Sequence, residues 1–262
     1  MAIVGFIGTG NMGSALARAC AKSERTEKLL LANRTRQKAE RLAAELGGEC
    51  ADNCTVAARA EVLFLAVKPQ YLTDMLGGIR DVLTARQDRF VIVSMVAGWD
   101  LARLGGEFGP LPVVRIMPNI PASVGGGVTL MCCSQSVTDD EKALVSELLA
   151  ASGLVSELEE SLLDAATGVT GCGPAFAAMF VEALADGAVA CGLPRRLALE
   201  YAAGMLRGTA ELLLSTGEHP AVLKDRVCSP GGSTIQGVRA LEESAFRGAV
   251  MDAVIAAYEK EF

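Results

Sequence analysis

The chain has 262 residues, 51% of them hydrophobic and 21% charged, with a formal net charge of −7; that is enough for one large or two modest well-packed domains. The negative balance, with no Lys/Arg block, speaks against nucleic acid or an anionic membrane as the main partner. Aromatic residues make up only 5% while glycines number 28, which suits close helix packing through small side chains better than stacking on bases. From the N-terminus, Met1 to Ile7 carries no basic leader and is too short for a signal peptide or a membrane span. The eight cysteines are scattered and form no C-x-x-C pair, so reduced thiols in the cytoplasm are expected. His219 is the only histidine, and no metal site is expected.

The first 95 residues alternate strand and helix. Ala2 to Ile7 reads as a strand, Asn11 to Lys22 as a helix, Lys28 to Ala32 as a strand and Thr35 to Leu46 as an amphipathic helix. Val62 to Val67 and Phe90 to Val93 are further strands, with a helix from Gln70 to Leu83 between them. This βαβαβ rhythm predicts a parallel doubly wound sheet. Val113 to Ile116 and Gly127 to Met131 add strands. Val137 to Ala151 reads as a helix opened by Thr138 and Glu141 at capping-box spacing.

Beyond about Ser161 β-branched runs become rare and Ala/Leu-rich segments take over, with helices expected at 161–167, 174–191, 194–216, 219–226, 234–243 and 245–260. Gly192-Leu193-Pro194 separates the second and third of these. The predicted architecture is an α/β Rossmann-like dinucleotide-binding domain at 1–160, followed by an all-α domain at 161–262. The 174–191 helix is apolar around most of its circumference although it carries Glu182 and Asp186. Burial on all sides, and hence a helical dimer interface, is expected for it.

Gly8-Thr9-Gly10-Asn11-Met12-Gly13 is a G-x-G-x-x-G loop directly after a strand and at the start of a helix, the context that gives this pattern meaning. Gly8 allows the tight turn, Gly10 lets the backbone approach a pyrophosphate, and Gly13 allows helix-to-strand contact. After the second strand comes Asn33-Arg34-Thr35, where an acid would accept from the ribose hydroxyls of NAD. With no acid there, Arg34 is placed to pair with a 2′-phosphate and Asn33 and Thr35 to donate hydrogen bonds. NADP(H) is therefore expected ahead of NAD(H), the alternative being that Arg34 is an ordinary solvated charge. Lys68, in Ala66-Val67-Lys68-Pro69-Gln70, ends a parallel strand where ligand crevices form; it either faces the cofactor ribose or substrate, or snorkels at the surface.

The segment Ser229-Pro230-Gly231-Gly232-Ser233-Thr234 stops one helix and opens another. Ser233 or Thr234 is expected near the new helix's N-cap, among backbone N–H groups with no helical partner. Such a turn is a seat for an anion, here a small carboxylate. Acid–base candidates are otherwise scarce. His219 precedes Pro220 and reads as a cap; Glu182 and Asp186 read as a solvated strip; Cys132 and Cys133 read as core; Cys172 and Cys228 flank glycine turns with no activating base. That scarcity fits an imine substrate, which already carries its proton, with a hydroxyl such as Thr234 as hydrogen-bond partner.

These residues resemble the pyrroline-5-carboxylate reductases along nearly the whole chain. The shared blocks are Gly5 to Met12, Ala66 to Gln70, Arg115-Ile116-Met117-Pro118-Asn119-Ile120-Pro121, Thr167 to Ala175, Glu182 to Gly187, Gly192 to Pro194, and Leu223 to Ile235. The resemblance implies NADPH-dependent reduction of 1-pyrroline-5-carboxylate to L-proline by a homodimer, in many members a ring of dimers, with the helical domain as the dimerisation domain. It implies that backbone N–H groups of Ser229, Gly231, Gly232, Ser233 and Thr234 hold the substrate carboxylate while Thr234 hydrogen-bonds the ring nitrogen. Gly8, Thr9, Gly10, Asn11, Met12, Asn33, Arg34, Asn53, Ala66, Val67, Lys68, Pro69, Met95, Val96 and Ala97 would line the NADPH site. The chain departs from the usual pattern at Ile120, where threonine is common, at Cys172, where serine is common, and at Trp99, where a smaller residue is usual. A β-hydroxyacid dehydrogenase shares the two-domain plan, but the Gly168 to Ala178 stretch lacks the lysine that such enzymes use. A cofactor-binding regulator on the same fold is the non-catalytic alternative.

Overall fold

A computed structural model describes residues 1–261. The chain forms two compact units, Met1–Gly171 and the part from Cys172 onward. The change in composition at Ser161 and the division at Gly171 bracket one helix, Glu160–Thr170.

In the first unit, β1 (Ala2–Ile7), α1 (Asn11–Ala21), β2 (Thr26–Ala32) and α2 (Arg36–Leu46) fall where hydrophobic periodicity predicts. A two-residue strand, β3 (Glu49–Cys50), and a short helix, α3 (Asn53–Arg59), follow; neither is apparent from pattern alone. Next come β4 (Val62–Leu65), α4 (Leu72–Ala85), β5 (Val91–Ser94), α5 (Leu101–Phe108) and β6 (Val113–Met117). The fourth strand stops at Leu65, two residues short of the expected Val67. The unit is completed by β7 (Gly127–Cys133), α6 (Asp139–Leu149), β8 (Gly153–Glu157) and α7 (Glu160–Thr170). Thr138 and Glu141 form the expected capping box at the start of α6.

The eight-stranded sheet has the order β3-β2-β1-β4-β5-β6-β7-β8. It is parallel throughout except between β6 and β7, which run antiparallel. Its central strands are buried on both faces, as helices on either side require. Phe6 and Phe64 lie opposite each other on β1 and β4 and stack with ring centroids 4.4 Å apart. Side chains alternate between two cores. Val62 and Phe64 join Leu16, Cys20, Val145 and Leu148 on one face, while Leu63 and Leu65 join Val56, Leu76, Ile79 and Leu104 on the other. Because the order reverses between β1 and β4, the crevice outside their carboxyl ends is a topological switch point.

Helix α7 is tied into this unit by side chains. The buried Arg115 on β6 donates to Glu160 at 2.8 Å, and the Leu101 N–H donates to the same carboxylate oxygen at 2.8 Å. At the other end of α7, Asn119 accepts from the Val128 N–H at 2.9 Å and donates to the Thr170 carbonyl at 2.9 Å.

The second unit is helical: α8 (Gly173–Ala190), α9 (Arg195–Thr216), α10 (Pro220–Val227), α11 (Ser233–Glu243) and α12 (Phe246–Glu261). Gly192, at φ +97°, supplies the left-handed turn between the first two. Asp186 of α8 pairs with Arg195 of α9 at 2.5 Å, and Phe180 of α8 meets Phe246 of α12 with centroids 5.8 Å apart. The expectation that the 174–191 helix is buried on all sides does not hold in the chain by itself. Only Ala185 of α8 is fully buried, and Met179 is 68% exposed. Met205, Met251 and Ile255 on the neighbouring helices are exposed as well. The helix is apolar around most of its circumference, and one chain supplies neighbours for only part of it.

Candidate active site

The glycine loop leaves β1 at the switch point. Its Gly8 N–H donates to the Ala32 carbonyl at 2.8 Å, the Ala66 N–H donates to the Ile7 carbonyl at 2.9 Å, and the Met95 N–H donates to the Leu65 carbonyl at 3.2 Å. These bonds stitch the exits of β2, β1, β4 and β5 side by side. The stretches expected to line the cofactor site are thereby brought to one edge of the sheet: Gly8–Gly13, Asn33–Thr35, Ala66–Pro69 and Met95–Ala97. Asn53 opens α3 just after β3, with Asp52 as its N-cap accepting from the Thr55 N–H at 2.7 Å.

The loop's glycines have different reasons to be glycine. Gly8 has φ +108°, and a Cβ there would lie 2.4 Å from the Ala66 carbonyl oxygen. A Cβ on Gly13 would lie 2.3 Å from the Gly8 carbonyl oxygen and 2.9 Å from Ala66 Cβ. Both are demanded by the protein's own packing. Gly10 is not: its φ is −72°, and nothing stands within 4 Å of where its Cβ would be. As N-cap of α1 it leaves the first N–H groups of that helix without a side-chain cap, the arrangement that a pyrophosphate occupies. Beside it the Thr9 hydroxyl is buried and has no partner among the described residues. An open, uncapped helix mouth and an unsatisfied hydroxyl fit a dinucleotide.

Asn33 shapes this loop. Its Oδ1 accepts from the Thr9 N–H at 3.0 Å and its Nδ2 donates to the Thr35 carbonyl at 3.1 Å, so much of its amide is spent on the protein. The Arg34 guanidinium lies over the Tyr71 ring, 4.5 Å from the centroid. The Arg34 guanidinium beside it, with the charge of Lys68, holds the Tyr71 phenol below its ordinary pKa. Tyr71 had no signal in the sequence; it closes a short turn of 3₁₀-helix, Pro69–Tyr71, that Lys68 precedes. The Val96 side chain is buried in the core, so only its backbone faces outward. Trp99 packs on the same core, and Arg103 stacks on its ring at 4.4 Å while donating to the Gly98 carbonyl at 2.7 Å. Ile120 is 76% exposed.

In the second unit, α10 is capped by His219, whose Nδ1 accepts from the Ala221 N–H at 3.2 Å. Glu218 fastens the end of α10 through Arg226 at 2.6 Å. After Cys228 the chain turns through Gly231 at φ +71°, and the Gly232 N–H donates to the Ser229 carbonyl at 3.0 Å. A Cβ on Gly232 would lie 2.3 Å from Ser229 Oγ. Helix α11 begins at Ser233, earlier than its apolar pattern suggests, because Gly232 takes the N-cap position. Ser233 and Thr234 therefore occupy the first turn, no side chain caps the helix, and both residues are exposed. The loop presents free N–H groups and hydroxyls and no acid.

Cys132 and Cys133 do not compete for a chemical role. Burial pushes the Cys132 thiol up to about 12 and the Cys133 thiol up to about 11, so both stay protonated and unreactive at neutral pH.

Residues 160–261 match a family model described as pyrroline-5-carboxylate reductase dimerisation, and residues 3–98 match one described as NADP oxidoreductase coenzyme F420-dependent. The pyrroline-5-carboxylate reductase of Synechocystis is 46% identical, over 80% of this chain and 77% of its own length. That of Escherichia coli is 37% identical over 98% of this chain and 96% of its own. The solved pyrroline-5-carboxylate reductase of Coxiella burnetii superposes with a TM-score of 0.91 at 28% identity, covering 98% of this chain and 96% of that one. The Plasmodium falciparum pyrroline carboxylate reductase, solved with NADP bound, gives 0.85 at 30% identity, covering 99% and 97%. With an uncapped glycine loop of dinucleotide pattern in one unit, an uncapped, acid-free helix start in the other, and relatives of this kind along its length, the chain belongs to the pyrroline-5-carboxylate reductase family.

Proposed function

We propose that this chain reduces 1-pyrroline-5-carboxylate to L-proline with NADPH, the last step of proline biosynthesis, and that NADH serves it less well. The observation that carries the reading is the loop from Ser229 to Thr234, an uncapped helix start with two exposed hydroxyl residues and no acid, in a chain of this family. Its backbone N–H groups hold the substrate carboxylate. The Thr234 hydroxyl accepts from the N–H of the protonated imine and so fixes the plane of the ring. NADPH, when bound, supplies the hydride, which adds to the imine carbon (carbon 5 of the proline formed). The proton is already on nitrogen, so no side chain has to transfer one, and His219 and the buried cysteines have no part in the step. Rate then comes from orientation and from dipoles fixed on the developing amine.

In the cofactor half, Gly8–Gly13 receives the pyrophosphate at the N-terminus of α1, and Arg34 pairs with the 2′-phosphate. Thr35, Asn53 and Lys68 offer further donors, and the Ala66–Pro69 and Met95–Ala97 stretches line the cofactor site. The segment 160–190 is apolar and long enough to cross a membrane by length and composition, but it lies within the dimerisation match. We assign its exposed apolar surface to a second copy of the chain, in a cytoplasmic homodimer that assembles further into a ring, and not to lipid.

Oxidation of NADPH on addition of 1-pyrroline-5-carboxylate, and not on addition of a panel of keto acids, is the expected result. Turnover of a β-hydroxy or keto acid instead would point to the dehydrogenase reading. NADPH binding without turnover of any of these would point to a regulator.

A further inference from the structure

Arg34 is neutralised differently from the arginines around it. Arg18 is paired with Glu45 at 2.6 Å, Arg36 with Glu40 at 2.9 Å and Arg59 with Glu49 at 2.8 Å. Among the described residues Arg34 has no carboxylate partner; its guanidinium rests on the Tyr71 ring, 4.5 Å from the centroid. An aromatic face orients a cation without cancelling its charge, whereas a carboxylate would compete with an incoming dianion. Tyr71 reaches this position from the turn after β4, which also carries Lys68, another cation with no carboxylate partner among the described residues. Two unneutralised cations and an aromatic face thus stand together at the sheet edge next to Asn33, which shapes the glycine loop.

We infer that Tyr71 is a positioning and specificity residue for the 2′-phosphate of the cofactor: its ring holds the Arg34 fork over the place where that phosphate binds, and so favours NADP(H) over NAD(H). The inference rests on the reading of Arg34 as the 2′-phosphate partner and goes beyond it by assigning the discrimination to a pair of residues. A guanidinium on a free, flexible stem loses side-chain entropy when it grips a phosphate; one already laid on a ring has lost part of it beforehand. The phosphate can then take a bidentate pair of hydrogen bonds from the outward edge of the guanidinium.

Titration of the full-length apo protein with 2′,5′-ADP and with 5′-AMP isolates this contribution, because the two ligands differ only in the 2′-phosphate. Tyr71 is 40% exposed, so its substitution leaves the core intact. The expected result is that Tyr71→Leu weakens 2′,5′-ADP roughly two- to fivefold, the scale of an exposed cation–π contact, and leaves 5′-AMP unchanged. Tyr71→Phe, which keeps the ring, restores wild-type affinity. Equal weakening of both ligands by Tyr71→Leu, or no weakening of either, overturns the inference while the NADP(H) reading stands. A wild-type protein that binds the two ligands equally well removes the NADP(H) reading, and this inference with it.

Discussion

Asn33 Oδ1 accepts the hydrogen bond of the Thr9 N–H at 3.0 Å, across the exits of β1 and β2. The side chain after the second strand thus sets the shape of the loop after the first. Asn33→Ala leaves a largely buried amide with no acceptor, a loss on the order of 1–2 kcal/mol. Because the loop would serve any dinucleotide, NADPH and NADH should both bind roughly tenfold more weakly, as read by cofactor fluorescence. A loss confined to NADPH would mean that Asn33 acts on the 2′-phosphate and not on the loop.

Gly10 and Gly13 separate folding from binding within one motif. Gly13→Ala forces a methyl to 2.3 Å from the Gly8 carbonyl oxygen, and overpacking of this kind costs about 1–3 kcal/mol. The melting temperature should fall, and cofactor binding with it. Gly10→Ala meets no protein atom within 4 Å, so its melting temperature should stay close to wild type while NADPH binding is lost. Full NADPH affinity in Gly10→Ala would place the pyrophosphate elsewhere.

Thr234→Ala removes a hydroxyl that caps no helix end. The expected cost is roughly a hundredfold in kcat/KM for 1-pyrroline-5-carboxylate, the scale of one well-placed donor or acceptor at a reacting centre. NADPH affinity and melting temperature should be unchanged, and Thr234→Ser should recover most of the activity. Wild-type turnover by Thr234→Ala would remove this residue from the step.

The parallel strands were legible because burial on both faces makes them continuous apolar runs, as in Val62–Leu65 and Val91–Ser94. The glycine loop was legible because its meaning depends on the strand before it and the helix after it, and both read clearly. What was missed lacked such a signal. Helix α5 contains Gly105 and Gly106, which weaken helix propensity; β8 is an edge strand with exposed positions; β3 has only two residues. Helix α8 was legible as apolar around most of its circumference, and from that a dimer interface was expected; the period of one helix does not say which of its apolar positions its own chain covers. The Arg34–Tyr71 contact joins turns that follow different strands, and no local period reports a contact of that kind. The same is true of Arg115 and Glu160, which meet only because α7 packs against β7, the strand beside β6.

The capping box of α6 makes stability depend on pH through Glu141. Its carboxylate accepts from the Thr138 N–H at 2.8 Å and takes a two-pronged pair from Arg89, at 2.7 and 2.8 Å. Burial by itself would raise the pKa of Glu141; the bonds from Arg89 and Thr138 outweigh it and hold the group below its ordinary 4.5. A carboxylate with a lowered folded-state pKa stabilises the fold above its unfolded pKa, and that contribution is lost as pH falls through the folded value. Glu141→Gln should therefore cost roughly 1 kcal/mol at neutral pH, the scale of a helix cap with one partly exposed ion pair. The difference from wild type should persist down to about pH 5, because both states are still ionised there. It should then shrink as the pH is taken below 4.5 and the wild-type carboxyl takes up its proton. Urea unfolding of both proteins across that range measures it. A difference that stays constant well below 4.5 would show that the substituted amide destabilises the helix start through packing and not through the lost charge.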